Sequence, residues 1–306
     1  MIFIRQFIGK RQNRTIMKGP ILQETTKGDV MKRTVVICAV ILHTINAYAE
    51  TFDIGGTEIV IPPPEGFTIV TQEMDAVYRL NLRMEDPNND QLAYYISDMD
   101  VPAAINGEIP SLEKTSAVKV NKQIKNIIIG LKDFKKFKNK IKLQNKEKIE
   151  EIKSRASDIF EKTNKGISEE FDINFAMGVN DVTPLDPHFE TENILSYSMY
   201  ANYGASIEQE KKDVIVSSTT TFVNVAGKIL FLYCYGPQNE IEWTREVSKL
   251  WAEKIVSSNP DAPVKSTGIG GIDWRRVILK GITGGISGGI IALLIGMATF
   301  FKKKPK

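Results

Sequence analysis

The sequence predicts an α+β fold, in which a mainly antiparallel sheet is covered by two main helices and followed by one C-terminal transmembrane helix. Short alternating or apolar segments recur along residues 50–258, which is the pattern of strands. Two longer segments repeat apolar residues at three- and four-residue steps, which is typical of amphipathic helices. Residues 281–301 contain no charged side chain. Strands and helices that share one core in this way define the α+β class.

The individual elements follow from these patterns. Strands are predicted on both sides of the Pro-rich turn in "TEIVIPPPEGFTIV", in "LAYYISD", in "SAVKVNKQI", and over residues 171–182, 194–203, 214–225 and 229–235. The strand over residues 229–235 is almost continuously apolar, so it is expected at the centre of the sheet. Helices are predicted over residues 131–161 and 240–257.

Residues 31–49 have the three parts of a secretory signal peptide. Lys32 and Arg33 precede an apolar run, and Ala47-Tyr48-Ala49 forms a small-x-small cleavage signal. Cleavage there makes Glu50 the first residue of the mature chain. Residues 1–30 are basic and carry no core pattern, so we interpret them as a mis-annotated upstream extension, with translation starting at Met31.

Charge is distributed unevenly along the chain. Residues 50–273 hold 25 Lys or Arg against 35 Asp or Glu, whereas residues 1–49 and 274–306 are basic. This layout is typical of an exported domain tied to a membrane and argues against a nucleic-acid-binding protein. We therefore expect an extracytoplasmic domain over residues 50–258, a flexible Pro/Gly/Ser-rich linker over 259–273, and a transmembrane helix with a basic tail over 274–306.

The uncharged segment over residues 281–301 has the length of a membrane span. As a helix its 21 residues would cover ~31 Å, close to the ~30 Å hydrocarbon core of a bilayer. Four lysines follow it, which places the tail in the cytoplasm and the main domain in the periplasm, in a single pass through a bacterial inner membrane.

Small residues recur every four positions within this segment, so they share helix faces. Such rows let membrane helices pack closely, which predicts self-association through a glycine zipper. The alternative is the general abundance of glycine in membrane helices. The predicted contact residues are Gly281, Gly284, Gly285, Gly288, Gly289, Ala292 and Gly296.

The sequence predicts no catalytic, cofactor or metal site. Removal of the signal peptide leaves Cys234 and His188 as the single cysteine and histidine, which cannot form a typical zinc site. We interpret Cys234 as a small buried hydrophobe and His188 as a surface-loop residue.

Two motif matches have simpler interpretations. The segment "DPNNDQLAYYIS" begins like a calcium loop, yet Gln91 replaces the required Gly and Ser97 the required Glu, which favours an Asx-rich turn. The G-x-S-x-G match at residues 285–289 lies in the predicted membrane helix, away from any strand and turn.

Lysine is concentrated between residues 114 and 148, where twelve lysines face only Asp133 and Glu147. The segment is either a solvated helix face or a basic surface that meets anionic lipid heads or an acidic partner. Few aromatic side chains accompany the lysines, so no nucleic-acid partner is expected. The candidate surface is Lys135, Lys136, Lys138, Lys140 and Lys142.

Three segments carry a resemblance to a known family: "IPPPEGF", "GKILFLYCYG" and "EWTREVSKLWAEKIVSS". Their order resembles the plan of the PsbP-like α/β/α sandwich, and the whole layout is similar to exported, membrane-anchored proteins of Gram-negative bacteria. The resemblance covers the first and last thirds of the domain and implies a fold and a role in assisting larger assemblies. It implies no catalytic residue.

We therefore expect a membrane-tethered periplasmic binding or assembly module without catalytic activity, whose partners are the lipid bilayer, a second copy of its transmembrane helix and a protein of unknown identity. The first alternative is a periplasmic enzyme that uses carboxylates such as Asp98 and Asp100, which a buried carboxylate pair in a cleft would favour. The second alternative is a membrane-active protein that works through the glycine-rich helix.

Overall fold

The computed structural model describes residues 49–288, apart from residues 85, 145–148, 209, 261–263 and 269. The strands are β1 (Glu50–Asp53), β2 (Glu58–Ile61), β3 (Phe67–Ile69), β4 (Asn89–Ser97), β5 (Thr115–Asn121), β6 (Phe175–Pro184), β7 (Phe189–Glu190), β8 (Ile194–Ile207), β9 (Glu210–Val225) and β10 (Lys228–Pro237). The α-helices are α1 (Asp75–Leu82), α2 (Val101–Ile105), α3 (Leu131–Gln144), α4 (Ile149–Phe171), α5 (Ile241–Ser258) and α6 (Trp274–Gly288).

The main sheet has the strand order β3-β4-β5-β10-β9-β8-β6, with β7 paired to β8, and β1 and β2 form a separate hairpin. Each of these pairings is antiparallel. The predicted α+β class with a mainly antiparallel sheet is therefore confirmed.

Strand β10 lies at the centre of this sheet, as its apolar sequence predicts, and pairs with β5 on one side and β9 on the other. Its side chains alternate between two cores. Phe231 and Tyr233 belong to one core, whereas Leu230 and Leu232 belong to the other. A strand that is buried on both faces needs this unbroken apolar run.

The turn into β10 depends on glycine. Ala226 and Gly227 both have positive φ, at 48° and 76°, as a two-residue hairpin turn matching the twist of its strands requires. A Cβ on Gly227 would lie 2.8 Å from Ile128 Cγ2, so the turn also packs closely against the segment before α3.

Helix α5 and the β1–β2 hairpin cover one face of the sheet. Trp251 is the largest side chain in this layer, and its indole donates a hydrogen bond of 2.7 Å to the Pro62 carbonyl. Its ring meets Tyr95 edge-on, with ring centroids 5.4 Å apart. These contacts join the helix, the hairpin and β4 into one apolar layer.

Helices α1, α2, α3, α4 and α6 contribute to the core on the opposite face. Helix α6 contacts β4, β5, β9 and β10 as well as α3 and α4, so it lies between the sheet and two other helices. Residues 277–286 are buried without interruption. A helix that is enclosed in this way has little need of a polar face.

The structure departs from the sequence predictions in three places. The long helix expected over residues 131–161 is described as two helices, α3 and α4, and α4 continues to Phe171. The short helices α1 and α2 were not predicted, so more helices cover the sheet than the two expected. The packed unit also extends beyond Ser258, because α6 belongs to the core.

Candidate functional site

Helix α6 rests on the sheet in a polar and aromatic recess, which we call the α6 seat and define by Asn89, Tyr203, Thr220, Phe231 and Tyr233. All five side chains are buried. They come from β4, β8, β9 and β10, so four strands converge under one helix.

Glycines allow this close approach. A Cβ added at Gly281 would lie 3.0 Å from Phe231 Cε2, and a Cβ at Gly285 would lie 2.9 Å from Thr220 Oγ1. At Gly284 it would meet Asn89 Nδ2 at 3.0 Å. Side chains pack to near-crystalline density in protein interiors, so there is no room for these added atoms.

Hydrogen bonds reach the helix backbone from the seat. The Tyr233 hydroxyl donates to the Gly281 carbonyl at 2.8 Å, and the Tyr203 hydroxyl donates to the Ile286 carbonyl at 2.7 Å. Burial raises the pKa of both phenols above the ordinary value of a tyrosine. Both hydroxyls therefore stay protonated and remain donors throughout the physiological pH range.

A buried carboxylate lies beside the seat. Asp86 accepts hydrogen bonds from the Asn88 backbone N–H at 2.8 Å and from the side-chain amide of Asn89. The same Asn89 amide lies 3.3 Å from the Lys280 carbonyl. The first of these bonds closes the Asx turn that the sequence predicts here. Asp90, the third oxygen of the calcium-like pattern, pairs instead with Lys125 at 2.7 Å.

The structure places the predicted glycine row in two situations. Gly281, Gly284 and Gly285 contact the sheet of their own domain, and Gly288 is the last described residue of α6. Gly289, Ala292 and Gly296 lie outside the described residues. Within the described part of the chain, none of the helices has both the length and the apolar character needed to cross a membrane.

The five lysines of the candidate basic surface do not form one uniform group. Lys138 is buried and donates to the Thr191 carbonyl at 2.5 Å, so the expectation that it is solvated is wrong. Lys136 pairs with Asp133, and Lys142 pairs with Glu190. Lys135 and Lys140 are exposed on the outer side of α3. The fully solvent-facing part of the predicted surface is therefore smaller than its sequence implies.

A hydroxyl ladder joins the sheet to α5. Ser198 Oγ lies 2.8 Å from Thr219 Oγ1, which lies 2.8 Å from Thr244 Oγ1. At the outer end of this ladder, His188 Nδ1 lies 3.5 Å from Ser198 Oγ, and the Arg245 Nε–H donates to the same oxygen at 3.3 Å. Serine and histidine are neighbours here, but Ser198 is buried, and its hydroxyl is already engaged on the ladder.

His188 lies in the loop before β7 and is exposed, as the sequence predicts. Desolvation of its ring lowers the pKa to about 4, and the positive charge of Arg245 adds to the effect, whereas Glu242 opposes it. The imidazole is therefore neutral at physiological pH. A neutral imidazole with a low pKa is a weak general base.

The other residues considered for chemistry have structural partners. Asp98 accepts a hydrogen bond of 2.6 Å from Thr68, and Asp100 accepts a longer one from Ser111. Burial raises the pKa of Asp100, and the Ser111 hydrogen bond opposes that shift. Cys234 is buried in β10, where burial raises the pKa of its thiol to about 11. No cluster of metal ligands is present among the described residues.

The predicted cleavage site falls at the edge of the described chain. Ala47 lies outside the described residues, whereas Ala49 is exposed and Glu50 is the first residue of β1.

Sequence reasoning missed the residues of the seat. The available signal was the two-residue alternation of β10, which places Phe231 and Tyr233 on one face of a central strand. The four-residue spacing of Gly281 and Gly285 is compatible with packing on such aromatic side chains as well as with packing on another helix.

Comparisons with known proteins give no family for the chain and a weak structural similarity. No family model matches the chain, and no curated protein matches it. Among solved structures, the chain is similar to the solution structure of cyanobacterial PsbP from Synechocystis, with 11% sequence identity and a TM-score of 0.24 over 71% of this chain and 94% of that chain. The structural resemblance to PsbP is thus weak.

Proposed function

We propose that this protein is a membrane-tethered periplasmic module that binds or assembles other components and performs no catalysis. The observation that carries this proposal is that the carboxylate and serine side chains most able to act in catalysis are held in hydrogen bonds within the fold. Asp86 is held by Asn88 and Asn89, and Ser198 belongs to the hydroxyl ladder. Groups that are fixed in internal hydrogen bonds stabilise a structure and offer little to a substrate.

The tether rests on sequence. Residues 281–301 are uncharged and long enough to cross a bilayer as a helix, and lysines follow directly. Together with the signal peptide expected over residues 31–49, this supports a domain on the periplasmic side and a tail in the cytoplasm.

The proposed binding surface is the exposed side of α3. Lys135 and Lys140 are exposed there, and Leu143, three residues after Lys140, is 76% exposed. Lysines on the same helix as an exposed apolar side chain suit an anionic lipid surface, because the ammonium groups meet the headgroups while the apolar group enters the interface.

Cysteine labelling of the full chain tests the tether and its orientation. Cys234 is buried, so a cysteine introduced at Met99, which is 90% exposed, would be the reactive one in the periplasmic domain. In spheroplasts, a membrane-impermeant maleimide should label Met99→Cys and spare Lys306→Cys until the membrane is permeabilised. The protein should also remain in membranes after alkaline carbonate extraction.

Two results would contradict the proposal. Release of the whole chain by carbonate would show that the chain is not anchored by a membrane-spanning segment. Labelling of Lys306→Cys in intact spheroplasts, with Met99→Cys protected, would reverse the orientation.

A further inference from the structure

The α6 seat and the membrane span use the same residues. The uncharged segment begins at Gly281, and its first eight residues, 281–288, already belong to α6. Residues 281–286 are all buried between the sheet and neighbouring helices. A residue cannot lie in the domain core and in the hydrocarbon core of a bilayer at the same time.

The remaining length is too short for a span. Thirteen uncharged residues, 289–301, follow α6, and as a helix they would cover ~20 Å, against ~30 Å for the hydrocarbon core. Lys280 precedes the segment, and lysines follow it, so neither end can be extended with uncharged residues.

The seat and the bilayer can each satisfy the backbone hydrogen bonds of residues 281–288 and pack their glycines. On the sheet, the carbonyls of Gly281 and Ile286 accept hydrogen bonds from Tyr233 and Tyr203, and the glycines fit against Phe231 and Thr220. In a bilayer, the same backbone would be satisfied within the helix, and the glycines would be free to contact another helix. The glycine face can therefore contact either the sheet or another membrane helix, but not both at the same time.

We propose that residues 281–288 exchange between the α6 seat and the bilayer, so that the seated domain and the membrane-spanning chain are mutually exclusive states of this protein. This inference rests on the proposed membrane tether. The seated state shields the first part of the span until a membrane is available. The spanning state opens the seat and exposes the glycine row for self-association.

A disulfide between the helix and the seat reports which state is present. The double variant Thr220→Cys/Gly285→Cys places two thiols where the structure brings a Gly285 Cβ within 2.9 Å of the Thr220 side chain. Ser116→Cys provides the matched control, since Ser116 Oγ lies 3.5 Å from the native Cys234 Sγ, on the face of the sheet away from α6. Both pairs are oxidised in two preparations: the purified full chain without membranes, and the full chain retained in membranes after carbonate extraction.

We expect the 220–285 pair to link nearly completely in the purified chain and at least tenfold less in membranes, whereas the control pair links equally in both. Equal linking of the 220–285 pair in the two preparations would overturn the exchange. No linking in the purified chain, where the control pair still links, would overturn the seat itself.

A second variant guards against a cysteine pair that disturbs the seat. Gly285→Ala crowds Thr220 and Tyr233 without adding a thiol, so the purified full chain should become carbonate-resistant at a lower concentration of added vesicles than wild type requires. An unchanged or higher vesicle requirement would contradict the exchange. If the wild-type chain itself is fully released by carbonate, the tether proposed above fails, and the exchange fails with it.

Discussion

At the scale of single residues, His188 offers a clear measurement, because it is the sole histidine outside the expected signal peptide. Its pKa is lowered to about 4 by desolvation and by Arg245, from about 6.5 for an unperturbed histidine. The unfolded chain therefore binds the proton more readily than the folded chain. The contribution of His188 to folding is complete above about pH 6.5 and is lost as the pH falls toward 4.

A proton NMR titration of the imidazole checks this prediction. The resonance should shift with a midpoint near pH 4, and Arg245→Gln should move that midpoint upward because it removes a positive charge. A midpoint of about 6.5 in the unaltered protein would show that the ring is solvated and that Arg245 does not act on it.

At the scale of elements, two helical glycines should respond in opposite directions to alanine. Gly285 in α6 faces Thr220 and Tyr233, which are both buried. Overpacking by Gly285→Ala should lower the free energy of unfolding by about 1–3 kcal/mol. The higher helix propensity of alanine should offset about 1 kcal/mol of that loss. Gly166 in α4 faces Cδ of the half-exposed Arg83 at 3.3 Å, and that side chain needs to shift by only a few tenths of an ångström, so Gly166→Ala should stabilise by up to about 1 kcal/mol. Urea unfolding midpoints should therefore move apart, and a rise in both would show that α6 is loosely packed.

The contribution of the α3 lysines to vesicle binding can be distinguished from the effect of overall charge. Residues 50–288 should bind anionic vesicles at low salt, and Lys135→Gln/Lys140→Gln should weaken that binding, since each lysine near a surface is worth ~1 kcal/mol. Lys162→Gln/Lys165→Gln on α4 removes the same charge at other exposed positions and should have less effect. Co-sedimentation measures both, and equal losses would assign the binding to net charge alone.

The sequence predicts elements with strong periodicity and misses those set by tertiary contacts. Strand β10 is recognisable because it is apolar on both faces, and α5 because its apolar stripe is regular. For α6, the sequence does not show that the helix packs on the sheet, and the reason is physical. A helix that is enclosed in a core and a helix that is enclosed in lipid have the same uncharged, glycine-rich composition, and only the partner distinguishes them. The α6 seat depends on residues from four strands, whose convergence no local pattern reports.

At the scale of the whole molecule, the domain should need α6 to be stable. The core beneath α3 and α4 includes Val277, Ile278, Leu279, Ile282 and Ile286. A fragment over residues 50–258 loses all five, each worth roughly 1.5–3 kcal/mol when buried. It should bind the dye ANS and lack near-ultraviolet circular dichroism, whereas residues 50–288 should unfold cooperatively. Equal stability of the two fragments would show that α6 is dispensable.

The pairing of β5 with β10 has a consequence for the order in which the chain acquires its structure. Residues 115–120 meet residues 230–235, so the centre of the sheet cannot close until more than two thirds of the chain has been made. The face under α6 closes later still, because its covering helix comprises residues 274–288. Contacts so distant in sequence slow folding, and refolding followed by tryptophan fluorescence should take roughly milliseconds to seconds or longer. During synthesis, the aromatic floor beneath α6 is a surface that a chaperone would have to protect.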